Sequence, residues 1–160
     1  MNQTLVSQPS SRTNPRRLEL GTYPFSVPLL ARFGDMDIGQ HLNNVAIARY
    51  YEEARVVFNQ SLLGDLRLSS RPDAPARVLV AQVNITYLRE GRYPGQLTVG
   101  VGVARIGTTS YTLGCALFQE DDCLGVSDAV IVHAGKDGPA PLPEPMRERL
   151  NARLIAAEAR

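Results

Sequence analysis

The chain has 160 residues, 44% of them hydrophobic, which suits one domain with a sizeable core. Lys and Arg total 17 against 16 acidic residues, so the formal charge is only +1, and the absence of a long basic run argues against a nucleic-acid surface. No window approaches the roughly 20 consecutive apolar residues of a membrane span, and the start lacks the apolar centre of a secretory signal, so a cytoplasmic location is expected.

Residues 1–20, short of apolar side chains and holding Pro9 and Pro15, read as a disordered leader before one domain over 21–160. From Tyr23 to Phe33 the chain is apolar with Pro24 and Pro28, as in a first strand near a sheet edge. An Asp-rich loop follows. Asn43 to Gln60 then shows helical periodicity, with Asn43 or Asn44 as the N-cap and Gly64 as a stop. Residues 65–76, with Pro72 and Pro75, read as a loop.

Four strand-like runs come next: Arg77–Arg89, Gly95–Arg105, Thr108–Gln119 and Cys123–His133. Short turns between them imply an antiparallel meander. Met146–Arg160 reads as a second helix. One long helix among antiparallel strands predicts an α+β layer, with the sheet curling around the helix. A hairpin turn at 120–122 sets Cys123 opposite the neighbourhood of Gln119 rather than Cys115, which disfavours a disulfide between the two cysteines. Two isolated cysteines and two distant histidines make a poor zinc site, and neither metal nor cofactor is expected.

The richest stretch chemically is Arg32–Asn44, which places Asp35, Asp37, His41, Asn43 and Asn44 immediately before the helix. A helix start carries unpaired N–H groups and the positive end of its dipole. Such a site can hold a polarised carbonyl oxygen beside a carboxylate, so acyl transfer, thioester hydrolysis in particular, is the first chemistry to test.

Three segments carry a resemblance. They are Asp35-Met36-Asp37 with His41-Leu42-Asn43-Asn44 and Tyr51-Glu52-Glu53-Ala54-Arg55; Val83–Arg89 with Tyr93–Leu97; and Arg105–Tyr111. In these the chain resembles the hotdog-fold thioesterases of the 4-hydroxybenzoyl-CoA thioesterase type, which include bacterial long-chain acyl-CoA thioesterases. The resemblance implies a hotdog fold: a curved antiparallel sheet of about five strands around one long central helix, with a C-terminal helix here. It also implies a homodimer or homotetramer whose sheets join edge to edge, with active sites at the subunit boundary. The family's catalytic carboxylate falls on Asp37, and backbone N–H groups near Asn43 and Asn44 would form the oxyanion hole. Many relatives carry glycine directly before the histidine, where this chain has Gln40, and Ile47 replaces an aromatic common in the first helical turns.

The candidates have plainer readings beside the chemical ones. Asp37 would act as general base or nucleophile, or would simply order a loop. Asp35 is expected to order the loop through backbone N–H groups. His41 would orient the thioester or a water, or would bond a backbone carbonyl. Asn44, and Asn43 as a substrate contact, are also capping candidates. Glu53 is a reserve base, and with Glu52 it could equally form a surface ion pair with Arg49 or Arg55. Arg89, Arg92 and Arg105 lie at strand ends suited to coenzyme A phosphates, with Thr108 and Ser110 as hydroxyl donors. His133 reads as structural. The expected partner is an acyl-CoA or an acyl-carrier thioester. The rival functions are a hotdog module that binds an acyl thioester without cleaving it, and an enoyl-CoA hydratase, whose usual Asn-Pro pair is absent.

Overall fold

A computed structural model describes residues 14–64 and 77–156; the loop expected over 65–76 lies outside them. Helix α1 (Asn44–Leu63) starts at the N-cap Asn43, whose Oδ1 accepts from Val45 N at 2.7 Å and Ala46 N at 3.2 Å. Ile47, Tyr51, Ala54, Phe58 and Leu62 recur at helical steps and are buried. The helix ends at Leu63, three residues past Gln60, with the expected stop Gly64 as its C-cap.

Among the described residues, six strands form one antiparallel sheet: β1 (Phe25–Leu30), β2 (Arg77–Tyr87), β3 (Gln96–Ile106), β4 (Ser110–Gln119), β5 (Asp122–Gly135) and the two-residue β6 (Gly138–Pro139). The order is β1-β3-β4-β5-β2, with β6 paired to β5. Only β3, β4 and β5 follow the expected meander. β2 pairs with β5 at the far edge instead of with β3, although just Leu88–Gly95 connects them. That linker crosses the end of the sheet, where Leu88 N and Arg89 N both donate to Leu124 O. Register shifts at Val80/Gln82, Val103/Arg105 and Leu117/Phe118 mark bulges, which bend strands and raise twist. The sheet therefore curls around α1, as expected for the hotdog fold.

The concave face and α1 enclose the main core, including Leu97, Val99, Val101, Leu113, Leu117 and Ile131. Burying each such side chain contributes roughly 1.5–3 kcal/mol. Cys115 faces Ser127 across β4 and β5, Cys123 faces Phe118, and both thiols are free. Burial pushes the Cys115 thiol up to about 12.

The convex face carries a second, smaller core of Tyr23, Ala116, Phe118, Cys123 and Val126, with Leu18, Leu88 and Ile155 against it. Of the leader expected over 1–20, the described part is bound here. Pro15–Leu18 and Leu20–Thr22 form 3-10 turns, and Arg17 reaches Asp128 at 2.9 Å and the Ser127 carbonyl at 3.1 Å. A charge-assisted bond to Asp128 gives this polar segment a reason to be held. Helix α2 (Glu144–Asn151) starts beside Pro143 and is shorter than the expected Met146–Arg160. Backbone pairing ends it: Val103 N donates to Arg153 O and Ile155 N to Val103 O, drawing the chain along β3.

Candidate active site

After β1 the backbone turns tightly through residues 31–43. Arg32 N donates to Asp35 Oδ2 at 2.9 Å, and Met36 then bridges to Leu42 in antiparallel fashion. Asp37 N donates to His41 O, and Asp37 Oδ1 accepts from Gly39 N at 2.8 Å and His41 N at 3.3 Å. Gln40 holds φ at 61°, in the left-handed region where glycine is at ease. The position where many relatives carry glycine thus has a backbone that suits it.

The loop is fastened at both sides. Asn43 N donates to Asp35 O and Leu42 N to Gly91 O, each at 2.8 Å. Gly91 lacks a Cβ because one there would stand 2.7 Å from Leu42 Cδ1 and 2.6 Å from Leu124 Cδ1.

The acidic pair divides its work. Asp35 closes the 3-10 turn Phe33–Asp35, whereas Asp37 follows it beyond Met36 and opens the next turn. Asp35 Oδ2 also accepts from the Tyr50 hydroxyl of α1 at 2.5 Å. Burial, and then the bond to Asp35, hold that hydroxyl well above the usual tyrosine range. Asp37 instead lines a cavity of about 620 Å³ with Met36, Gln40, His41 and Arg92. A larger cavity of about 870 Å³ lies between β1 and α1, lined by Leu30, Asp35, Arg49, Tyr50 and Glu53 among others. Phe33 and Tyr93 line both cavities, their rings edge to face with centroids 5.9 Å apart.

Helix-start donors are mostly engaged. The N–H groups of Asn43, Val45, Ala46 and Ile47 go to Asp35 O, Asn43 Oδ1 (two bonds) and Asn43 O. Among the described residues, Asn44 N–H is the donor of this first turn with no acceptor within the chain. Asn43 spends its side-chain oxygen on capping.

His41 Nε2 lies 2.9 Å from Glu90 Oε2, a partner that sequence reading passed over. The two are far apart in sequence, and the Leu42–Gly91 bond brings them together. Arg89 sits near the same end of the sheet, its guanidinium 2.6 Å from Asp122. Arg105, Thr108 and Ser110 are not part of this grouping. They lie at the other end of eleven-residue β3, roughly 30 Å away at about 3.3 Å per residue. His133 is buried and its Nδ1 is 3.0 Å from Ala140 O, a structural contact. Tyr50, Phe33 and Tyr93 were also missed as site residues. Tyr50 had a signal, since it falls two turns into the helix on the flank nearer β1.

Among the described residues, no group of three or more His, Cys, Asp or Glu is placed to hold a metal ion, and no helix is long and apolar enough to cross a membrane.

A fold of this kind with a carboxylate loop at the helix start defines a class. The chain belongs to the thioesterase-like superfamily, whose family model matches residues 31–150. No curated protein sequence matches it. Among solved structures, the PA5185 protein of Pseudomonas aeruginosa is 23% identical with a TM-score of 0.75, covering 88% of this chain and 99% of that one. A Thermus thermophilus thioesterase complexed with coenzyme A and Zn is 28% identical with a TM-score of 0.69, covering 82% and 94%. A 1,4-dihydroxy-2-naphthoyl-CoA thioesterase from Synechocystis has the same fold at 13% identity, with a TM-score of 0.67 and coverage of 79% and 95%.

Proposed function

We propose that this protein is a cytoplasmic acyl-CoA thioesterase, with Asp37 as general base or nucleophile. The observation that carries the reading is the placement of Asp37 and His41 on one cavity wall, in the loop that leads into α1, in a chain of the thioesterase-like superfamily. The coenzyme A complex of the Thermus relative supports the substrate class.

In this reading the thioester carbonyl oxygen accepts from Asn44 N–H, where the helix dipole favours developing negative charge. The Asp37 carboxylate takes a proton from water, or attacks the carbonyl carbon directly to give an anhydride that water then cleaves. Breaking the carbon–sulfur bond releases CoA thiolate, which takes up a proton, and the acyl group leaves as a carboxylate. His41, oriented by Glu90, positions the thioester or the water. Asn43 acts through the cap, and Arg92, on the cavity wall, suits the phosphates of coenzyme A.

Self-association completes the proposal. β2 leaves an eleven-residue edge with Leu79, Val80, Val83 and Tyr87 exposed, and such edges are normally covered. Antiparallel pairing of β2 with a second copy's β2 would bring the sheet end bearing Arg105, Thr108 and Ser110 of one copy towards the Asp37 end of the other. Those residues, with Arg89, are proposed to contact coenzyme A on that basis.

The test offers purified protein a panel of acyl-CoAs and follows free thiol. Release by the wild type with a loss of at least ~100-fold in Asp37→Asn is the expected result. Tight binding without release by either protein would point to a passive binding module.

A further inference from the structure

The cavity between β1 and α1 is larger than the one holding Asp37, and the catalytic reading does not use it. The two meet at Phe33 and Tyr93, which belong to both walls. Phe33 is 74% exposed and Leu30 is 68% exposed, so two large apolar side chains on this wall are open to a ligand. Behind them the floor is Ala31, Tyr50 and Leu97, all buried. At the rim, Arg49 and Glu53 stand one turn apart on α1 and offset each other's charge.

We propose that this groove receives the acyl chain, an aliphatic one, which leaves the Asp37 cavity across the Phe33–Tyr93 edge and lies against Leu30. The proposal rests on the thioesterase reading and names its substrate class. The apolar floor and the exposed Leu30 favour hydrocarbon. The wall also carries Arg32, Arg49, Asp35 and Glu53, two charges of each sign that offset one another and select no charge on the chain. Coenzyme A is left on the other side, where Arg92 lines the cavity that holds Asp37.

Each methylene moved from water into an apolar groove is worth about fourfold in binding, so kcat/KM should climb with chain length. The experiment measures acetyl-CoA against dodecanoyl-CoA hydrolysis for wild type, Leu30→Glu and Phe33→Ala. In parallel, calorimetry measures binding of S-dodecyl-CoA, a thioether that cannot be hydrolysed. Both side chains are exposed, and thermal unfolding checks that the variants fold. The expected result is a dodecanoyl-to-acetyl ratio that falls at least ~10-fold in Leu30→Glu, a similar weakening of thioether binding, and a smaller fall in Phe33→Ala. Hydrolysis whose chain-length ratio is indifferent to both substitutions overturns the groove assignment and leaves the thioesterase reading standing. Thioether binding that Leu30→Glu abolishes, without hydrolysis of any acyl-CoA, upholds the groove and overturns the thioesterase reading. A wild type that neither cleaves nor binds these compounds overturns both.

Discussion

Residues 32–36 and 37–41 occupy one loop, yet they hold their carboxylates in opposite ways. Asp35 is half-buried and tied to two other parts of the chain, with its Oδ2 accepting from Arg32 N and the Tyr50 hydroxyl and its carbonyl from Asn43 N. Asp37 is exposed on a cavity wall, and its recorded bonds are to N–H groups of its own turn. A carboxylate that joins a loop to a helix is committed to the fold. One held only by its own turn keeps an orientation while remaining open to a ligand. The lesson is that preorganisation and availability are divided between two side chains of the same kind.

The sharpest way to break this comparison is to remove each carboxylate in turn. Asp37→Ala should lower kcat/KM for the best acyl-CoA by about 10²–10⁴-fold while costing no more than about 1 kcal/mol of stability for the two lost turn bonds, read by thiol release and urea unfolding. Asp35→Ala should do the reverse. Leaving the Tyr50 hydroxyl and Arg32 N–H without their acceptor should cost about 1–3 kcal/mol in urea unfolding, with activity of the folded fraction reduced much less. Equal losses of activity in the two variants would erase the distinction.

Smaller changes sharpen it. Asn43→Ala removes the acceptor for Val45 N and Ala46 N and should cost about 1 kcal/mol in the same unfolding assay. Gln40→Gly relieves a left-handed backbone and should stabilise by about 0.5 kcal/mol, since the ~1–2 kcal/mol steric cost is partly offset by a freer unfolded chain.

A check on the sheet lies outside the loop. The Cys115 thiol ionises from 9.0 in the unfolded chain but only at about 12 when folded, so its contribution to stability is full below pH 9 and drains away between pH 9 and 12. Cys115→Ala should flatten the alkaline decline of the unfolding midpoint.

Much of this could be read from local pattern. Asn43 before a helical repeat marked the start of α1, and the polar turn between Gln119 and Cys123 marked the β4–β5 hairpin. The alternation of β2 described its two faces and said nothing about its neighbour, so its place beside β5 was hidden. The same limit applied to the site. Asp35 and Asp37 look alike along the chain, because what separates them is Tyr50, a contact made only once α1 packs down. The Glu90 partner of His41 depends on the Leu42–Gly91 bond, which is equally non-local. Arg105, Thr108 and Ser110 drew attention as polar groups at a turn, and strand length then set them far from Asp37 within the chain.

On the convex face, Ala156 N donates to Thr22 O at 3.2 Å, so two segments from opposite ends of the domain run side by side. A short engineered peptide joining them, with new termini opened at the tight turn of Glu120 and Asp121, would yield a circularly permuted protein. The Asp37 loop and α1 would stay covalently intact in such a molecule, because both the splice and the cut fall elsewhere.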